Sequence, residues 1–376
     1  MRIKKFCKIF AVTMLSALIF TGCGSSDSSS ASSSASESSV AESSSADTES
    51  SEKVTDVPTE APTETPAPEA DTPFSVHGAL SVNGADLVDK DGNKFQLKGM
   101  STHGIAWFPK YVNLAAFKTL RDDWNTNCVR IAMYTDENMG YCNGGDKEYL
   151  KGLVKNGVKY ATELGMYVIV DWHILHDKTP LKYKDEALAF FDEISKEFAG
   201  QDNILYEICN EPNSGPSWED VKSYAEEVIP VIRANDPNCV VLVGSPTWSQ
   251  DIHKAAADPL SFENVMYTLH FYAGTHKDSL RKRAQQCIDG GLPVFISEFG
   301  ICDASGNGKL DYDSAQAWKE LIDKNNLSYM CWNLSNHSES SAVFVNGCEK
   351  LSGWAEEDLK DQGKWVREWF KSNPSL

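Results

Sequence analysis

Between residues 96 and 333 the sequence repeats one unit: a short apolar run followed by a longer amphipathic segment. The short runs fall at 96–101, 128–133, 167–172, 204–210, 240–244, 265–270, 294–298 and 329–333. Rich in Val, Ile, Tyr and Phe, they have the near-continuous apolar pattern of strands buried on both faces. The longer segments, at 114–124, 148–164, 185–198, 218–234, 250–257, 279–289 and 312–324, and a closing one at 359–372, carry apolar residues at helical spacing. Eight strands alternating with helices over about 300 residues is the arithmetic of a (β/α)8 TIM barrel. A doubly wound open sheet is the alternative, but it normally carries a glycine-rich phosphate loop, and the sequence has neither G-x-G-x-x-G nor a P-loop. Ahead of the repeat, residues 80–97 alternate around Asn83-Gly84 and Asp91-Gly92, which predicts an N-terminal β-hairpin.

A barrel places its working side chains at the C-terminal ends of the strands, where the βα loops gather. The sequence supplies polar or aromatic residues at each of these exits. His103 follows the first strand and Arg130 lies within the second; Asp171, Trp172 and His173 end the third. Asn210 and Glu211 end the fourth, Thr247 and Trp248 follow the fifth, and His270 and Tyr272 close the sixth. Glu298 ends the seventh and Trp332 lies in the eighth.

The fourth-strand stretch NILYEICNEPN turns from an apolar run into Asn210-Glu211-Pro212, and LPVFISEFG ends likewise on Glu298. A carboxylate where a buried strand empties into a loop is costly unless something there uses it. Two of them suit glycosidic hydrolysis, which needs one protonated carboxyl and one ionised carboxylate. Arg130 and Tyr272 could hold Glu298 ionised, Asn210 could bond a sugar hydroxyl, and Trp248 and Trp332 offer flat faces to sugar rings. Glu207 receives no role from the pattern. A metal site from Asp171, His173, His176 and Asp177 is the rival use, but H-E-x-x-H is absent. G-x-S-x-G, the mark of a serine nucleophile, is absent too. No metal or cofactor is therefore expected.

The net charge of -19 argues against nucleic acid, whose phosphates need a basic face. Arg2, Lys4, Lys5 and Lys8 precede an apolar stretch at 9–20 that is short for a bilayer span, the pattern of a targeting segment over residues 1–23. It ends Phe20-Thr21-Gly22-Cys23, similar to a bacterial lipoprotein box, with Cys23 as the lipidated residue, although Phe20 stands where Leu is usual. An ordinary signal peptide cleaved nearby is the alternative. Residues 24–73 are Ser-rich and then Thr/Glu/Pro-rich, too poor in large apolar residues to offset their ordering entropy. They read as a disordered tether, leaving residues 74–376 as the catalytic domain. The remaining eight cysteines lack CxxC spacing; Cys128, Cys209 and Cys331 lie in strand-like runs as buried thiols.

The motifs resemble those of the family-5 glycoside hydrolases, in the bacterial endo-β-1,4-glucanase branch, over most of the stretch from residue 76 onward. LKGMSTHGIAWF, VRIAMY, VIVDWHIL, YEICNEPN, TWSQDIH, TLHFYAGTHK, ISEFG and WNLSNHSESSA match the eight strand exits in order. The resemblance implies Glu211 as acid/base and Glu298 as nucleophile, with Arg130, His173, Asn210, His270 and Tyr272 around them. It implies sugar contacts at His103, Trp107, Trp248, Lys277, Trp332, His337 and Glu339. Asn336 and His337 depart from the branch, which usually has Asp and Lys there. The resemblance further implies a retaining enzyme on β-1,4-linked glucan; a monomer is expected, held at the bacterial cell surface by the lipid anchor that the box around Cys23 suggests. The alternatives are the same chemistry on mixed-linkage glucan, xyloglucan or mannan, or a glycan-binding surface lipoprotein without catalysis.

Overall fold

The computed structural model describes residues 71–372; the targeting segment with Cys23, and the tether up to residue 70, lie outside them. Thr72 and Pro73, read as the end of the tether, instead open a short helix, Pro73–His77. The Thr72 hydroxyl accepts from the Ser75 backbone N–H and proline takes the first helical turn, where its missing N–H costs nothing.

The predicted hairpin forms from β1 (Ser81–Asn83) and β2 (Asp86–Val88). Eight parallel strands follow: β3 (Lys98–Thr102), β4 (Cys128–Tyr134), β5 (Tyr167–His173), β6 (Ile204–Glu207), β7 (Val240–Val243), β8 (Val265–Tyr272), β9 (Val294–Gly300) and β10 (Tyr329–Leu334). β10 pairs with both β9 and β3, so the sheet closes on itself as a (β/α)8 barrel. Alternation along the strands sends Val129, Ile131 and Met133 outward to the helices, while Arg130 and Ala132 point inward. The hairpin residues Leu80, Leu87 and Phe95 pack with Tyr167, Leu205, Leu242, Met266, Phe295 and Met330 and plug the N-terminal end of the barrel. Among the described residues no helix is long and apolar enough to cross a membrane.

Three local departures from the predicted elements shape the upper end. β6 stops at Glu207, three residues short of the expected end; Ile208 and Cys209 then turn into the outer core and Asn210 swings back to the interior. The helix expected at 250–257 begins only at Ile252, because Thr247, Trp248 and Ser249 all take left-handed backbone angles. Such angles are strained for side chains of this size. They are held by bonds from Trp248 N–H to Pro212 O at 3.0 Å and from Ser249 Oγ to Asn210 O at 2.6 Å.

The third departure is a bulge in β9. Thr268 and His270 of β8 pair with Phe295 and Glu298, and Tyr329 and Cys331 of β10 pair with Ile296 and Phe299. Two steps on each neighbour thus face three on β9. One extra residue turns two consecutive side chains, Ser297 and Glu298, toward the barrel interior, while Ile296 and Phe299 stay in the outer core.

Candidate active site

The strand exits surround a cleft of about 560 Å³ lined by His103, Tyr134, His173, Glu211, Trp248, His270, Tyr272, Glu298, Trp332 and Glu339, among others. A larger hollow of about 700 Å³ opens near the N-terminal ends of β8 and β9, but Glu263 is the one carboxylate in its wall. The chemistry lies in the first.

Glu211 and Glu298, 87 positions apart, meet here: an oxygen of each, and a ring nitrogen of His270, all lie within 4.8 Å of one another. Glu298 is held by two donors, Tyr272 Oη at 2.7 Å and Arg130 Nη1 at 3.3 Å. Glu211 faces His270 Nδ1 at 2.9 Å and is otherwise open to the cleft. Burial, joined by the charge of Glu211, pushes Glu298 up to about 7, against the opposing pull of His270, Arg130 and Tyr272. The donors from Tyr272 and Arg130 stabilise the ionised form of Glu298.

Arg130 organises the floor. Its fork bonds Glu207 twice, from Nε at 2.7 Å and Nη2 at 3.2 Å, while Nη2 reaches Asn210 Oδ1 at 2.6 Å and Asp171 Oδ2 at 3.0 Å. Asn210 is sealed beneath the cleft, its amide bonded to Ile174 O and facing His173 Nε2 at 3.3 Å, so it orients partners below the surface. His173 Nδ1 pairs with Asp171 at 2.6 Å, and burial together with the Arg130 charge holds His173 well below the usual imidazole range. His270 is the opposite case. Burial would lower it, but Glu207 and Glu211 outweigh that and bring it up to about 9.

The remaining predicted residues spread over the rim. Trp248 is 42% exposed at the cleft edge, and Trp332 stacks on His173 with ring centres 5.1 Å apart. Glu339 is fixed by Asn333 Nδ2 at 2.7 Å and faces His337 Nδ1 at 3.1 Å and His103 Nε2 at 3.7 Å. Trp107, at the outer rim, packs edge-on against Tyr134. Lys277 points elsewhere: its ammonium bonds Ala273 O and Asp311, both at 2.5 Å, and it does not line the cleft. The four residues weighed as a metal site divide. Asp171 and His173 serve the floor, Asp177 turns to Thr135 Oγ1 at 2.7 Å, and His176 is exposed beside Glu137.

Two interior residues escaped the sequence reading. Glu207 is fully buried under both carboxyls, and Ser297 bonds it at 2.7 Å. Glu207 had a legible signal: two positions after Leu205, it shares the face that looks into the barrel, where a carboxylate needs a cation, and Arg130 lies mid-strand on a neighbouring face. Ser297 had none, since strict alternation would turn it away from the face of Glu298.

Residues 88–338 match the family model described as cellulase (glycosyl hydrolase family 5). The chain belongs to glycosyl hydrolase family 5. Within the family it is similar to endoglucanase A of Butyrivibrio fibrisolvens, 46% identical over 299 residues that cover 79% of this chain and 69% of that one. An endoglucanase of Clostridium saccharobutylicum is 45% identical over 294 residues, 78% of this chain and 65% of the other. Among solved structures, the catalytic domain of Thermobifida fusca endoglucanase Cel5A in complex with cellotetraose matches with a TM-score of 0.77 at 38% identity, covering 80% of this chain and all of that one. The chain thus spans about two thirds of the length of the curated relatives and the whole of a family-5 catalytic domain.

Proposed function

We propose that this family-5 chain is a retaining endo-β-1,4-glucanase in which Glu298 is the nucleophile and Glu211 the acid/base. The observation that carries the reading is the approach of Glu211 and Glu298 oxygens to within 4.8 Å. Retaining pairs lie about 5–5.5 Å apart, whereas inverting pairs stand roughly 6.5–9.5 Å apart to admit a water. Glu298 attacks the anomeric carbon while Glu211 protonates the departing oxygen. Glu211 then takes a proton from the water that releases the glycosyl enzyme. Trp248 and Trp332 present ring faces for glucose units on either side. The relatives that are endoglucanases support a β-1,4-glucan over mannan, whose axial 2-hydroxyl needs a different cleft wall. A panel of carboxymethyl-cellulose, barley glucan, xyloglucan and mannan tests this: viscosity of the first falls faster than reducing ends appear. Cleavage of mannan alone would overturn it.

The pH profile follows from the site. The acid limb of kcat/KM reports the free enzyme's base or nucleophile. With Glu298 at about 7, that limb lies well above the ordinary carboxylate range. Tyr272→Phe removes a donor that favours the ionised form, so the limb moves to higher pH; a limb that stays put belongs to another group.

The same reading puts the enzyme as a monomer on the outer face of a bacterial membrane, held through Cys23 by acyl chains with residues 24–71 as tether. Cys23→Ala releases it into the soluble fraction in cells, and unchanged membrane fractionation argues against the anchor.

A further inference from the structure

The closing helix, Asp361–Ser372, takes no part in the reaction as described. It buries the face made by Gln362, Gly363, Val366, Trp369 and Phe370. Four of these suit an apolar contact; the fifth, Gln362, is a carboxamide with no solvent exposure. A buried amide is costly unless its bonds are made, and those of Gln362 are made to main chain in three separate segments. Oε1 accepts from Ile301 N–H at 3.0 Å, and Nε2 donates to Trp332 O and to Ser341 O, each at 2.7 Å. Ile301 directly follows β9, which carries Glu298; Trp332 lies in β10, and Ser341 in the loop beyond it. Gly363 lets the helix come this near, since a Cβ there would stand 2.4 Å from Val343 O. Lys360, just before the helix, holds the same loop: its ammonium donates to His337 O at 2.6 Å and to Glu339 O at 2.7 Å.

What these bonds fix leads into the cleft. Asn333 follows Trp332, and its Nδ2 donates to Glu339 Oε1 at 2.7 Å; Ser341 Oγ donates to the same oxygen at 2.9 Å. Ser341 N–H reaches Gly306 O at 2.9 Å, which ties in another stretch of the cleft wall. The Trp332 ring and the Glu339 carboxylate therefore both stand on backbone that Gln362 bonds directly. A buried main-chain group that loses its partner keeps its full desolvation cost, so these segments settle where one carboxamide can serve all three.

We propose that Gln362 and Lys360 are positioning residues for substrate, setting from the start of the closing helix where the Trp332 ring and the Glu339 carboxylate meet a glucan. The proposal rests on the glucanase reading above, in which those two residues contact sugar. Neither Gln362 nor Lys360 touches the reacting carboxyls: Glu298 is held by Tyr272 and Arg130, and Glu211 faces His270. Their contribution is thus to binding that is shared by ground state and transition state, and it is read in KM rather than in kcat.

Gln362→Met keeps the reach of the side chain and removes all three bonds. On cellotetraose it raises KM roughly 5- to 10-fold, with kcat within about threefold of the parent. Lys360→Met, at the half-buried edge of the loop, raises KM about two- to threefold, and it decides the matter if Gln362→Met does not fold. In a Glu339→Ala background each substitution loses most of its effect, because the carboxylate that it places is gone. A role confined to stability would lower Tm with KM unmoved, or would multiply with Glu339→Ala as independent sites do. An unchanged KM in the folded variants, or rises that simply multiply with that of Glu339→Ala, overturns the proposal alone. A parent that hydrolyses no cello-oligosaccharide overturns the glucanase reading, and this inference with it.

Discussion

Glu298→Gln lowers kcat on carboxymethyl-cellulose by on the order of 10⁴-fold, about 5.5 kcal/mol of transition-state stabilisation, with KM within about threefold of the parent. The amide has the shape of the carboxylate, so the cleft that binds glucan is undisturbed. Tyr272 can turn its hydroxyl to accept from the amide NH2, and Arg130 keeps Glu207 and Asn210. What disappears is the charged oxygen that bonds to the anomeric carbon. Glu211→Ala differs in kind. Its loss of about 10²–10⁴-fold applies to unactivated substrates and shrinks when the leaving group departs unaided. A Glu298→Gln protein with a tenth or more of parental activity assigns the nucleophile to another residue.

Arg130→Met lowers stability by roughly 3–5 kcal/mol, because removing one partner of a buried ionic cluster leaves the others uncompensated. The guanidinium has no solvent exposure, and Glu207 and Asp171 beside it have none either. In a domain of this size such a loss lowers Tm by on the order of 10 °C. The pH dependence reverses as well. In the parent, Glu207 at about 2 lies below its unfolded value, so its contribution is full above that value and is lost as pH falls through about 2. Without Arg130, burial governs and the folded value rises above the unfolded one. The folded variant then binds the extra proton, and its stability falls as pH rises toward neutrality. Thermal denaturation of both proteins from pH 4.5 to 7.5 checks the sign. A variant whose Tm deficit is constant with pH would show that Arg130 contributes packing rather than charge. Arg130→Lys falls between the two, since an ammonium restores the charge but not the bidentate fork on Glu207.

The barrel was legible because eight doubly buried strands leave an unmistakable apolar rhythm, and Glu211 and Glu298 were legible because each interrupts that rhythm at a strand exit. What escaped was set by backbone events that carry no residue-type signal. The β9 bulge breaks the alternation on which any reading of ISEFG depends, and with it the place of Ser297. The left-handed run Thr247–Ser249 is held by Pro212 O and Asn210 O, contacts reaching back about 40 positions along the chain. Glu207 was visible as an oddity but its partner, Arg130, is 77 positions away. Asn210 is closed off from solvent for the same reason: the strand ends at Glu207, and the turn that follows buries the carboxamide against Arg130.

The configuration of the first product tests the account most directly. Two displacements at the anomeric carbon, first by Glu298 and then by water, return it to its original hand. Proton NMR of cellotetraose or cellopentaose hydrolysis, followed within the first minutes, shows the new reducing end appearing as the β-anomer, with the α-anomer growing only by mutarotation. Appearance of the α-anomer first would mean a single displacement, and the two-glutamate covalent mechanism drawn from the Glu211–Glu298 approach would be wrong.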